Sequence, residues 1–221
     1  MNSLVSKCSV SERTRGHENV EWQIAYSYHL TDDNRNLPRV LLVGDSICNA
    51  CQDGVRNALE GTANVSFWVL SYCVTSANYL KLLSLQFSES RFDVVHFNNG
   101  LHSLLTPTDA WAAALRSALE LILYAQPWAK IIWRTSTPLA DEAKNEKANE
   151  LNAAAANVVE ELGGITTDAL FALLDPLDRT SHWTYTYHHT PETVAIEAAH
   201  VATAVVAAIG RAVVKPDGDG S

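Results

Sequence analysis

Two short stretches of this 221-residue chain carry the residue types of nucleophilic catalysis. Gly44-Asp45-Ser46 follows an apolar run, and His188-His189 stands just ahead of Thr190-Pro191-Glu192. A serine hydroxyl attacks a carbonyl efficiently only when a base takes its proton and N–H donors receive the charge formed on the attacked oxygen. His188 and His189 are the two choices for that base. Donors are at hand in two further polar segments, Ser71-Tyr72-Cys73-Val74-Thr75-Ser76 and Asn98-Asn99-Gly100-Leu101-His102-Ser103. Together these are the parts for acyl transfer. A second chemistry is written in Cys48-Asn49-Ala50-Cys51, because a Cys-X-X-Cys pair at a helix start lowers thiol pKa and suits thiol–disulfide exchange. The plainer readings are a βα turn with an N-cap serine, a polar loop histidine and two packing thiols.

Hydropathy shows which elements must position these residues. Short apolar runs at 39–43, 65–70, 92–97 and 130–133 have the pattern of strands buried on both faces. Helical patterns occupy 52–59, 76–85, 108–125 and 141–162, and a last one spans 191–214. Gly163-Gly164 stops the fourth helix, and 165–167 forms a fifth, short strand. Strands alternating with helices, too far apart for hairpins, imply a mostly parallel sheet with helices on both faces, a three-layer α/β/α sandwich. Ligands bind such a sheet beyond the carboxyl ends of its strands. The Ser46, Cys73 and Asn99 segments each follow a strand there, as does Thr135-Ser136-Thr137-Pro138. Residues 1–37 read as a leader packing on one domain at 38–214, with 215–221 as a tail.

Composition narrows the classes of function. Sixteen Lys+Arg against 25 Asp+Glu, a net charge of −9, argue against nucleic acid or an anionic membrane as the main partner. No apolar run reaches the roughly 18–20 residues of a membrane span, and the N-terminus shows no signal-peptide pattern, so a cytoplasmic location is expected. Four cysteines are too few for a disulfide scaffold. No metal is expected: Cys8 and Cys73 lack ligand spacing to the Cys48/Cys51 pair, and His182, His188 and His189 share an aromatic loop. Gly44 alone makes no phosphate loop, so a nucleotide is not expected either.

With Gly44-Asp45-Ser46 ending the first strand and His188 just ahead of Thr190-Pro191-Glu192, the chain resembles the SGNH/GDSL hydrolase superfamily over residues 38–210. The segment FNNGLHSL at 97–104 is similar to a carbohydrate-esterase-like branch of it. The resemblance implies a flavodoxin-like fold, Ser46 as nucleophile, His188 as base and no cofactor. It implies an oxyanion hole built from the Ser46 N–H, an N–H near Cys73, and His102 or Asn99. The implied reaction removes a small O-acyl group, such as acetyl, from a carbohydrate ester through an acyl-enzyme.

The departures from the family are specific. An aspartate usually stands three residues before the base, where this chain has Tyr185. Tyr185 itself, or Asp175 or Asp178 in the preceding loop, is then left to orient His188. The usual Gly-X-Asn-Asp reads Gly100-Leu101-His102-Ser103, and the second-block glycine is replaced near Cys73. Asp45, Trp183, Tyr187 and His189 are expected to line the substrate cleft, the aromatic rings stacking on sugar or acyl groups. Two readings from other classes stand beside the esterase: a degenerate hydrolase kept as a ligand-binding module, and a thiol-redox protein using Cys48 and Cys51.

Overall fold

The computed structural model describes residues 21–26, 34–88 and 90–210. In chain order the elements begin with β1 (Gln23–Tyr26), β2 (Arg39–Gly44), α1 (Ser46–Ala58), β3 (Asn64–Leu70), α2 (Tyr79–Ser88) and β4 (Val94–Phe97). They continue with α3 (Thr108–Ala125), β5 (Lys130–Arg134), α4 (Glu142–Leu162) and β6 (Ile165–Asp168). Two short helices, α5 (Leu170–Leu174) and α6 (Arg179–His182), precede the long closing helix α7 (Pro191–Gly210). The strands form one sheet in the order β1-β3-β2-β4-β5-β6, in which only β1 runs antiparallel to its neighbour.

Alternation along each strand separates two apolar layers. Leu41 and Val43 of β2 join Trp68, Phe97, Trp111 and Trp133 on the face covered by α2, α3 and α4. Val40 and Leu42 join Val55, Val65, Val201 and Val205 on the face covered by α1 and α7. The result is the expected α/β/α sandwich. From β2 the chain crosses first to β3 on one side and then to β4 on the other, so the switch point lies between the ends of β2 and β4.

Local chemistry moves some boundaries. Helix α1 starts at Ser46 rather than at 52, because Asp45 caps it: Oδ1 accepts the Ile47 N–H at 3.0 Å. Helix α2 starts at Tyr79 rather than 76, because Cys73 and Ser76 are spent on successive turns, with Ser76 N–H donating to Cys73 O and Tyr79 N–H to Ser76 O. Asp141 caps α4, and Gly163 and Gly164 end it at φ +66° and +70°.

Part of the expected leader is a sheet strand, since Gln23–Tyr26 pairs with Tyr26 opposite Phe67 and Gln23 opposite Leu70. The rest of 1–37 that falls at 1–20 and 27–33 lies outside the described residues, as do 211–214 of the last helical pattern and the tail 215–221. Helix α7 corrects one reading: an 18-residue stretch within its 20 residues has a mean hydropathy of 1.7, which makes the helix long and apolar enough by composition to cross a membrane. Here the helix packs on α1, with 39% of that stretch buried.

Three titratable residues clasp β4, β6 and α7 together. His96 Nε2 lies 2.8 Å from Asp168 Oδ2, and His200 Nε2 lies 2.6 Å from Asp168 Oδ1. Burial pushes the His96 imidazole below its usual value, even against the Asp168 hydrogen bond. Burial alone would raise Asp168, but the His96 hydrogen bond, with the electrostatic pull of its neighbours including Arg134, outweighs it and holds the carboxyl low. The unfolded chain therefore takes a proton on His96 near pH 6.5 while the native state does not. Stability falls as pH drops below that value, by up to about 1.4 kcal/mol per pH unit, until the lowered native pKa is reached. Asp168 adds to the loss at lower pH, as acid titrates its depressed native value. Thermal melts at pH 7.5 and 5.5 should show this decline, flattened in His96→Asn. An unchanged slope in that variant would refute the assignment.

Candidate active site

Ser46 opens α1 at the carboxyl end of β2, and His188 lies in the loop that leads into α7 at Pro191. His188 Nε2 lies 2.9 Å from Ser46 Oγ, a contact between residues 142 positions apart. Both are half-buried, and Ser46 lies at the switch point between the ends of β2 and β4. Two glycines make the close packing around Ser46 possible. A Cβ on Gly44 would lie 2.5 Å from Cys48 Cβ, so only glycine lets β2 turn this tightly into α1. A Cβ on Gly100 would lie 1.8 Å from Ser136 Oγ, so glycine lets the loop after β4 press against the loop after β5.

The oxyanion-side residues divide by what their side chains hold. Asn99 does not present a free amide: Oδ1 accepts the Val74 N–H at 2.9 Å, and Nδ2 donates to Tyr72 O at 2.8 Å. It ties the loop after β3 to the loop after β4. The Cys73 thiol faces inward, 2.9 Å from Thr75 Oγ1 and 3.0 Å from Ser103 Oγ. Its main-chain N–H and that of Ser46 have no acceptor among the described residues. His102 sits in the 3₁₀ turn Leu101–Ser103, half-buried and edge-on to Trp22 at 6.4 Å.

Several residues expected near substrate turn out to face the interior. Asp45 is 2% exposed, capping α1 and lying 3.9 Å from the Arg134 guanidinium through Oδ1. Trp183 is buried, donates to Pro138 O at 3.2 Å and carries Arg179 over its ring at 4.3 Å. His189 is buried with Nδ1 2.5 Å from Glu197 Oε1. These three anchor loops instead of lining a cleft. Tyr187 is half-buried, with Lys144 Nζ 5.0 Å from its ring centre.

No carboxylate reaches Nδ1 of His188 among the described residues. Asp178 caps α6, its oxygens taken by the Thr180 N–H and by the Thr180 and Ser181 hydroxyls. Those same donors hold its carboxyl below the usual range. Asp175 pairs with Arg179 at 2.5 Å. Tyr185 stands edge-on to the His188 ring at 5.8 Å and is 69% exposed, so it flanks the base without bonding it.

The cysteine pair follows the plainer reading, that of packing thiols, and not the redox one. Both thiols point into the core, and burial pushes Cys48 up to about 12 and Cys51 well above the ordinary thiol value. Cys51 Sγ donates to Cys48 O at 3.6 Å. Desolvation outweighs the helix terminus here, so neither thiol is a ready nucleophile.

Two buried charges near the site were missed by sequence reasoning. Arg134 ends the apolar run of β5, and Glu197 lies on the buried face of α7 between Thr193 and Val201. A charge at an i, i+4 position of an otherwise apolar stripe was the available signal for Glu197.

No protein-family model matches this sequence, and no curated protein matches it significantly. Solved structures do. An SGNH hydrolase by description, from Slackia heliotrinireducens, is 16% identical with a TM-score of 0.63, over 77% of this chain and 100% of that one. The fold is that of the SGNH hydrolases. A catalytic mutant of an acetylxylan esterase from Geobacillus stearothermophilus (15% identity, TM-score 0.58, 78% of this chain and 94% of that one) shares the SGNH-hydrolase fold. So does a carbohydrate esterase family 3 protein from Talaromyces cellulolyticus (12% identity, TM-score 0.63, 79% and 99%).

Proposed function

We propose that this protein is a serine esterase of the SGNH type that removes a small acyl group from an O-acylated carbohydrate. The observation that carries the reading is the 2.9 Å contact between His188 Nε2 and Ser46 Oγ at the switch point. Acetylxylan and carbohydrate esterases among the structures of like fold support the substrate class.

In this mechanism His188 Nε2 takes the Ser46 hydroxyl proton as Oγ bonds to the ester carbonyl carbon. The carbonyl oxygen becomes an oxyanion, received by the Ser46 and Cys73 N–H groups, with His102 the side-chain donor nearest the family's third block. Collapse breaks the bond to the leaving alkoxide, which takes its proton from His188. Water then attacks the acyl-enzyme by the same route, releasing the carboxylic acid and restoring Ser46. The residues form a dyad, because Tyr185 brings no charge to His188.

Two measurements test the proposal together. A fluorophosphonate probe should label the protein at Ser46, mapped by peptide mass, and acetylated xylo-oligosaccharides should release acetate. Labelling with no turnover on any ester would favour a binding module that kept its cleft; no labelling would refute the esterase. Tyr185→Asp should raise turnover on a small ester, by no more than about tenfold at so exposed a position. A loss of turnover there would show that the tyrosine itself serves substrate.

A further inference from the structure

Beside the elements that carry Ser46 and His188 lies a buried series of titratable side chains that the reaction above does not use. Arg134 NH2 lies 3.9 Å from Asp45 Oδ1, and both side chains are almost wholly buried. Glu197 Oε1 lies 2.5 Å from His189 Nδ1, and neither of those side chains is exposed at all. Burial works to lower the Arg134 pKa, but Asp45, the two thiols and Glu197 outweigh it and keep the guanidinium charged. At one end the series caps the helix that carries Ser46. At the other it stops one residue from His188.

Resting on the esterase reading, we propose that Glu197 is the positioning residue for His188, acting through His189 in place of the carboxylate missing at Tyr185. The geometry works by alternation. Trp183 and His189 form an antiparallel bridge, so the chain at 189 is extended and successive side chains point to opposite sides. Glu197 and the edge-on Trp183 ring, at 4.7 Å, hold His189 inward. His188 is thereby turned outward, toward Ser46. Its carbonyl is fixed from the other strand by the Thr184 N–H at 2.9 Å and hydroxyl at 3.0 Å. Among the described residues neither Glu197 oxygen has an aligned hydrogen bond, so the contact with His189 rests on close, fully buried packing of the two side chains. An uncompensated carboxylate on the buried stripe of an Ala/Val helix is strongly disfavoured, which ties α7 and His189 together.

An imidazole displaced by about 1 Å loses on the order of 100-fold in rate. Glu197→Gln, which keeps the shape, should lower kcat on a small acyl ester by about 10- to 100-fold. KM should stay within about twofold, and the rate of fluorophosphonate labelling at Ser46 should fall in step with kcat. In a His188→Ala background Glu197→Gln should cost nothing further, because its effect passes through that imidazole. Thermal melts establish that each variant is folded at the assay temperature, and His189→Gln carries the same test if Glu197→Gln does not fold. Wild-type kcat in folded Glu197→Gln overturns the proposal, as does an equal loss in the His188→Ala background. A wild-type protein that takes no label overturns the esterase reading itself, and this proposal with it.

Discussion

Ser46→Ala abolishes fluorophosphonate labelling and lowers hydrolysis of a short acyl ester by at least about 10³-fold, with the melting temperature nearly unchanged. Ser46 is half-buried and its one side-chain partner among the described residues is His188, so removing the hydroxyl opens no sizeable cavity and strands no core group. The fold survives while the attacking atom is gone. His188→Ala gives a loss of the same order, because the two residues act as a unit and removing either leaves the other idle. His189→Ala costs less in rate than His188→Ala, since His189 faces Glu197 and not Ser46. Steady-state kinetics of the three variants on one ester decide the matter. Wild-type turnover in Ser46→Ala refutes the nucleophile, and a reversed order of the two histidines moves the base by one residue.

Arg134→Ala produces the largest loss of stability, about 3–5 kcal/mol. Its guanidinium is buried at the end of β5 beside Asp45, which is 2% exposed and has one oxygen without a hydrogen bond among the described residues. Removing the cation leaves that carboxylate buried without its compensating charge and opens a cavity behind the nucleophile's turn. For a domain of this size the loss corresponds to a melting temperature lower by roughly 10 °C. Activity falls as well, because Asp45 also caps α1 and the Ser46 turn depends on that cap. Arg134→Met fills most of the space and separates the two causes: a similar loss of stability assigns the effect to charge, a small one to packing. A shift below about 2 °C in Arg134→Ala would show that the charge contributes little.

How far the sequence determined this protein depends on whether a property is local. Strands β2 to β5 were legible because both of their faces are buried, which demands nearly unbroken apolar runs. The start of α1 was not, because the polar Asp45-Ser46 pair interrupts the apolar pattern and shows its capping role only when Ile47 N–H is seen to meet it. Strand β1 was missed because an edge strand needs no such pattern. Ser46 and His188 could be named from residue type and neighbouring motif, since a nucleophile and a base each need a particular functional group. Direction was another matter. Asn99, Asp45, Trp183 and His189 have the right chemistry in the right segments, yet only the packed chain decides that each turns inward. The 142-residue separation of Ser46 and His188 is closed by the order of the strands, and the seating of His189 by a glutamate on α7, both long-range consequences of burial that no local spacing encodes.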